Sequence, residues 1–258
     1  MAKKWAKFPH ADKAYSYDNA GLKKNWIRLH RGDLEPFPKS ADAVAAWKSY
    51  HAGDFQQAVE AGRAAGDAGA NAAIKAQAIY ANYIEKNEAT RLALFEEAAQ
   101  WAQERREASP KDANAHYLYA YALGRYGQGI SVAKALAQGF GGKIKDALLT
   151  ALKLAPNHAD AHTAYGAYQA AVIEKVGGLV AGVTYGAKKD SALEHFQKAL
   201  KLFPDSAIAH VEYANGLLLL FGNSRLDEAT RLYEKAAAIE PADAMERLDV
   251  ELAKTELE

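Results

Sequence analysis

Cysteine is absent from all 258 residues. That excludes disulfides, a thiol nucleophile and any thiolate metal site. Long apolar runs are missing too. The longest, such as "GLLLLF" at 216–221, are far too short to span a bilayer. No sign of charge dominates, because 32 Lys and Arg face 32 Asp and Glu. A chain so balanced offers no global basic excess for nucleic acid. The start, "MAKKWAKFPHADKAYSYDN", carries basic residues with no apolar run behind them. It does not read as a secretory signal. The expectation is a soluble, cytoplasmic protein with no membrane insertion. Alternating strand patterns longer than four residues are also lacking, so sheet is not expected.

Charge is unevenly placed along the chain. Residues 1–39 hold nine Lys/Arg against four Asp/Glu, and residues 240–258 hold two against seven. Either both ends are solvated or they meet, within one chain or between neighbours. Residues 1–39 also hold Trp5, Phe8, Tyr15, Tyr17, Trp26 and Phe37 without a clear period. They read as an extended arm on the first hairpin. An RNA-binding arm would show a similar mix of aromatics and lysines, but the charge balance points away from nucleic acid.

Repetition is what the sequence has in quantity. "PKDANAHYLYA", "PNHADAHTAYG" and "PDSAIAHVEYA" follow Pro110, Pro156 and Pro204. Each has Ala at plus three and plus five, His at plus six and Tyr at plus nine. A fourth copy after Pro241, "PADAMERLDVE", keeps the first Ala and loses His and Tyr. Upstream, Phe196, Ala199 and Pro204 align with Tyr233, Ala236 and Pro241, and with Leu148, Ala151 and Pro156. Proline cannot continue a helix, so each marks a break before the next one. Alanine lets helices approach closely, and spacings of three and four keep one face apolar. A hairpin of that kind cannot bury its face alone, so hairpins stack.

These residues resemble the tetratricopeptide repeat (TPR). "WKSYHAGDFQQAVEAGRAA", residues 47–65, is a further hairpin of that type, with Tyr50, Gly53, Asp54, Phe55 and Ala58 at the family's turn and second helix. Segment 72–108 supplies at least one more, poorly matched, helix pair. The fold class expected is an all-α solenoid of TPR-like hairpins. Its parts are an aromatic, basic arm over 1–39 and a helical-repeat domain over 40–258. The charged last helix, "ERLDVELAKTELE", suits a cap.

The proline spacings exceed one repeat at two glycine-rich places, "GRYGQGISVAKALAQGFGGK" and "GGLVAGVTYGAKKD". Both read as insertions between the two helices of a hairpin, neighbours on one edge. They are apolar, with Ile130, Val132, Leu136 and Phe140 in one and Val176, Leu179, Val180, Val183 and Tyr185 in the other. A monomer rarely exposes such a patch, so the insertions are expected to be covered. They pack on each other and the helix ends, wall a pocket for a small apolar or amphipathic ligand, or form a partner or self-association surface. The stretches "GGKIKDALLTALKLAPNHADAHTAYG" and "ALEHFQKALKLFPDSAIAHVEYANGL" more loosely resemble the regulator-of-microtubule-dynamics group and the T component associated with TRAP transporters. That resemblance implies an accessory binding protein without catalysis. The T component works outside the cytoplasm, which the missing export signal argues against.

Catalytic and cofactor motifs are wanting. "GQGISV" has no third glycine and no preceding strand, so it is not a dinucleotide fingerprint. "GFGGKI" has Ile144 where a phosphate loop needs Ser or Thr. "HADAH" puts His158 and His162 at i and i+4, a zinc-capable spacing. It lacks the glutamate of the protease motif, and His158, at a helix start, is expected to be solvated. His116, His162 and His210 share a repeat position and read as packing residues. The protein is therefore expected not to be an enzyme, with no cofactor and no metal. Polar residues inside apolar helices are the remaining candidates: Arg125 and Tyr126, Glu174 and Lys175, Glu212 and Asn215. With Tyr117, Tyr121, Tyr168 and Tyr185 they form either a buried ion network or a ligand- or partner-binding surface. The functional expectation is a non-catalytic scaffold that binds a protein partner on its concave face, able to self-associate. The alternative is a carrier of a small apolar ligand in a pocket walled by the insertions.

Overall fold

Prolines, caps and glycines set the helix boundaries. The structure is a computed structural model and describes residues 4–258. Helices run over α1 (Asn19–Leu29), α2 (Ala41–Ala52), α3 (Phe55–Ala64), α4 (Ala70–Tyr83), α5 (Glu88–Ala108), α6 (Ala113–Gln128), α7 (Val132–Ala137) and α8 (Phe140–Leu154). They continue as α9 (Ala159–Val176), the single turn α10 (Gly178–Val180), α11 (Lys189–Leu202), α12 (Ala207–Phe221), α13 (Leu226–Ala237) and α14 (Ala244–Thr255). No strand occurs among the described residues. No helix among them is long and apolar enough to cross a membrane.

The residue two places after Pro110, Pro156 and Pro204 caps the following helix. Asp112 accepts from the backbone N–H of Asn114 and Ala115, His158 from Ala161, and Ser206 from Ala209. Each satisfies donors that a helix start leaves open. Elsewhere Ser40 and Asn87 cap α2 and α5 in the same way. Between α2 and α3 the chain must reverse in two residues. Gly53 does this at φ 85°, with the ring of Phe8 where a Cβ would stand. A side chain there would meet both the strained backbone and the arm.

The backbone forms two compact units. The first holds the chain to His30, Glu35–Phe140 and Ala242–Met245; the second holds Arg31–Leu34, Gly141–Pro241 and Glu246–Glu258. In the first, α2 pairs with α3 and α4 with α5, α3 packs on α4, and α5 on α6. In the second, α9 pairs with α11 and α12 with α13, while α9 also packs on α12. Contact between first helices of successive hairpins is the TPR arrangement. The fold class is an all-α solenoid of TPR-like hairpins, as the repeats indicate. Alanines carry the seams: Ala46, Ala58, Ala76, Ala98, Ala115 and Ala122 in one unit, and Ala161, Ala192, Ala214 and Ala229 in the other, are fully enclosed. Without a bulky side chain at those places, backbones draw close and the large rings between them are gripped.

The arm is not simply extended. It folds into a short 3-10 turn, Lys13–Tyr15, and the eleven-residue α1. Asp18 caps α1, and Leu22 and Trp26 fill its buried face. The period escapes notice because only two buried positions mark it. Ahead of α1, the Trp5 ring stacks on Tyr80 at 4.0 Å and its backbone N–H donates to the side-chain oxygen of Gln56.

Candidate functional site

The three repeat histidines do one local job. Nε2 of His116, His162 and His210 lies 3.0 Å from the carbonyl oxygen of Pro110, Pro156 and Pro204. A carbonyl only accepts, so each Nε2 carries the hydrogen. Each imidazole thus fastens its helix to the proline six residues earlier, which makes the column a set of turn clamps. His158 corrects the expectation of a solvated ring. It is wholly enclosed, because its Nδ1 caps α9 at Ala161. Its nitrogen is therefore committed to the backbone, and "HADAH" does not converge on one point. Among the described residues no group of three or more His, Asp or Glu is placed to hold a metal ion.

The polar and aromatic candidates fall into separate places. On α6, Tyr117, Tyr121 and Arg125 sit four residues apart and share a face. The tyrosine rings are 6.3 Å apart, and the Arg125 guanidinium lies 5.4 Å from the Tyr121 ring. Arg125 is half-buried and also donates to Gln128 at 3.3 Å. Tyr126 points elsewhere. It is buried against Phe140 at 5.9 Å, under the first insertion.

In the second unit, Tyr168 is buried and stacked on Tyr165 at 6.0 Å. Burial, with Tyr165, Tyr185 and Asp146 close by, pushes its hydroxyl above the usual tyrosine range. That hydroxyl is enclosed and makes no hydrogen bond. Tyr185 is half-buried across from Gly141, whose missing Cβ would stand 2.7 Å from the ring. Glu212 is half-buried on α12, and Asn215 accepts a hydrogen bond from the Tyr233 hydroxyl. Burial, then the charges of Glu256 and Glu212, push Tyr233 up to about 12. Glu174 and Lys175 are exposed, in neither a buried network nor a cavity wall. The apolar face of α9 runs through Ala170 and Ile173, and one or two residues further the helix has turned to solvent.

Each insertion packs one side and exposes the other, contrary to full cover. Phe140 is buried at the end of the first, while Val132 and Leu136 on α7 are exposed. In the second, a turn of π-helix over Ala181–Tyr185 buries Ala181, and Ala187 follows it into the core. Leu179 and Val183 are each 83% exposed, on the outside of the same turn.

Sequence reasoning missed His195. Its Nδ1 lies 2.8 Å from Nδ1 of His162, and its ring meets Tyr165 edge-on at 4.7 Å. His162 Nε2 already donates to Pro156, so in the neutral ring its Nδ1 accepts and His195 Nδ1–H donates. Burial first, then the neighbouring His162, holds His195 down to about 4. His162 is lowered too, by burial against the pull of the Pro156 carbonyl. His195 stands outside the repeat pattern, so spacing offered no signal. The unfolded chain takes up a proton on this residue below about pH 6.5. The folded protein resists until about 4. The contribution is therefore complete above about 6.5 and is lost as pH falls towards 4. Urea unfolding between pH 7.5 and 4.5 should show a smaller acid loss of stability in His195→Gln than in wild type. An equal loss in both proteins would contradict the assignment.

Residues 72–258 match the family described as regulator of microtubule dynamics protein 1-3. The chain belongs to that family. None of the curated proteins matches the sequence. Among solved structures, the family member shares its fold with TTC0263, a thermophilic TPR protein of Thermus thermophilus. The two are 18% identical, the match covers 83% of this chain and 97% of that one, and the TM-score is 0.56. MamA protein is also 18% identical, over 84% of this chain and 93% of its own, with a TM-score of 0.40. The fold likeness rests on the first of these.

Proposed function

We propose that this family member is a non-catalytic TPR-like adaptor that holds a segment of a partner protein on the face of its hairpins' first helices. The ladder of Tyr117, Tyr121 and Arg125 along α6 carries the reading. A half-buried guanidinium over a phenol ring offers both charge and aromatic surface to an incoming chain. TPR-like hairpins and family membership support it. The test is affinity purification from the protein's own host, followed by cross-linking mass spectrometry, with Arg125→Ala beside wild type. A partner protein cross-linked near α6, lost tenfold or more in the variant at unchanged melting temperature, is the expected result. A lower melting temperature with binding retained makes Arg125 structural and sinks the reading.

One observation favours a second reading, the carrier of a small amphipathic ligand. The Tyr168 hydroxyl is enclosed without a hydrogen-bonding partner, with Tyr165, Tyr185 and Asp146 close by. Such a group costs about 1–3 kcal/mol unless something satisfies it. A native mass spectrum decides between the two. A bound mass of a few hundred daltons, lost in Tyr168→Phe, supports the carrier.

A further inference from the structure

In the first unit the arm lays a carboxylate across the starts of two first helices. Asn71 is the second residue of α4 and Asn114 the second residue of α6, and these helices pack on each other. Both side chains are buried, 7% and 5% exposed. Both aim their amide nitrogens at Glu35, which follows α1 and is half-buried. Asn114 Nδ2 donates to Oε2 at 2.6 Å. Asn71 Nδ2 donates to Oε2 at 3.0 Å and lies 3.3 Å from Oε1. The same Asn71 nitrogen also donates to Asp112 Oδ2 at 3.1 Å, an oxygen that accepts from Arg105 as well. Asn114 begins the row that Tyr117, Tyr121 and Arg125 continue along α6 at spacings of three and four residues.

The arm fits this place imperfectly. Leu34, the residue before Glu35, sits at φ 53°, a left-handed backbone that a leucine rarely adopts. Its side chain is 47% exposed, so burial offsets little of that strain. Strained backbone of this kind persists at clamps and switches. The Asn71 Oδ1 is enclosed and accepts no hydrogen bond, so the arm satisfies the donors of the pair and not this acceptor. The Glu35 backbone is anchored, because the Trp26 ring N–H donates to its carbonyl at 2.6 Å. The side chain beyond that anchor is free to turn outward without unfolding the arm.

We propose that the Asn71–Asn114 pair is a carboxylate site for an acidic residue of a partner segment, and that Glu35 occupies it as a tethered stand-in. This rests on the adaptor reading and names the chemistry of the partner. Amide N–H groups from two helices converge on one carboxylate. A carboxylate accepts through both oxygens, and a neutral carboxamide through one only. The occupant already seen there is a glutamate side chain, which fixes the class of ligand. Because Glu35 is tethered, it competes with a partner's acid whenever it is seated. It therefore sets a threshold for binding along α6.

The test uses the full chain and two probes. Acetate is titrated into Glu35→Ala while the side-chain amide signals of Asn71 and Asn114 are followed by NMR, with acetamide as the uncharged control. Both signals are expected to move with acetate, to ignore acetamide and to stay still in wild type. Signals in Glu35→Ala that ignore acetate overturn the carboxylate site, and so does an equal response to acetamide. The second probe is a synthetic peptide of the partner stretch that cross-links near α6. Glu35→Ala is expected to bind it about fivefold more tightly than wild type, since the competing group is gone. Replacing the peptide's acidic residues by their amides should abolish that gain. Equal affinity of the two proteins overturns the stand-in role and leaves the adaptor reading intact. No cross-linked partner on either protein sinks the adaptor reading, and the partner's role at this pair with it, while the acetate titration still decides whether the pair takes a carboxylate. Should Glu35→Ala fail to fold, Glu35→Gln carries the same comparison, with a gain of about twofold expected because one acceptor remains.

Discussion

Phe196→Ala lowers the unfolding free energy by about 3–5 kcal/mol. Phe196 is completely enclosed in α11 and stacked on Tyr213 at 5.1 Å. Its ring lies against backbone where side chains are missing. A Cβ on Gly166 of α9 would stand 3.0 Å from it, and one on Gly216 of α12 2.5 Å. The two glycines that flank the ring carry no side chain to fill the void. The same geometry predicts a second effect at that place. Gly216→Ala overpacks the ring and costs about 1–3 kcal/mol by itself. In the Phe196→Ala background it should cost much less, because the obstacle is gone. Urea unfolding of the two single variants and the double variant measures the coupling. Additive losses would show that ring and glycine do not share a space.

Trp47→Ala should cost about as much, about 3–5 kcal/mol, with a different consequence. Trp47 is buried on α2 and touches Trp26 at 5.8 Å and Tyr50 at 5.3 Å, besides the imidazoles of His30 and His51. It is the surface on which the arm rests. Removing it leaves α1 with little to bury against, and an isolated eleven-residue helix is marginal in water. Limited proteolysis should then cut within residues 4–37 while α3 to α5 stay intact. An arm as resistant as in wild type would mean that other contacts hold it, such as Trp5 on Tyr80 and Phe8 at Gly53. Both losses come from rings gripped between helices, which is where this alanine-rich architecture concentrates its packing.

The repeat signal was legible because it is local. Proline, the cap two residues later and alanine at helical spacing act within a few residues of chain, so α9, α12 and their neighbours start where the pattern says. The glycine stretches were correctly seen as interruptions between helices. Which of their side chains turn inward was not, since Ala181 and Val183 differ only in the direction set by one turn of π-helix. The candidate site was legible as residue types and not as places. Tyr126 and Arg125 are adjacent in sequence, and one is buried against Phe140 while the other meets Tyr121. Glu174 and Lys175 look interior in an apolar string and stand in solvent, because one residue shifts a helix position by about 100°. His158 looked exposed at a helix start, and packing around its cap buries it completely.

The sequence by itself determined an all-helical chain of TPR-like hairpins, with two apolar insertions and no thiol chemistry. Those conclusions rest on short-range backbone physics, which any stretch of the chain states on its own. Only the tertiary structure decided that His195 meets His162, and that Asp243 meets His51 across 192 residues. No spacing records such pairs, because stacking brings together residues whose separation in sequence carries no period.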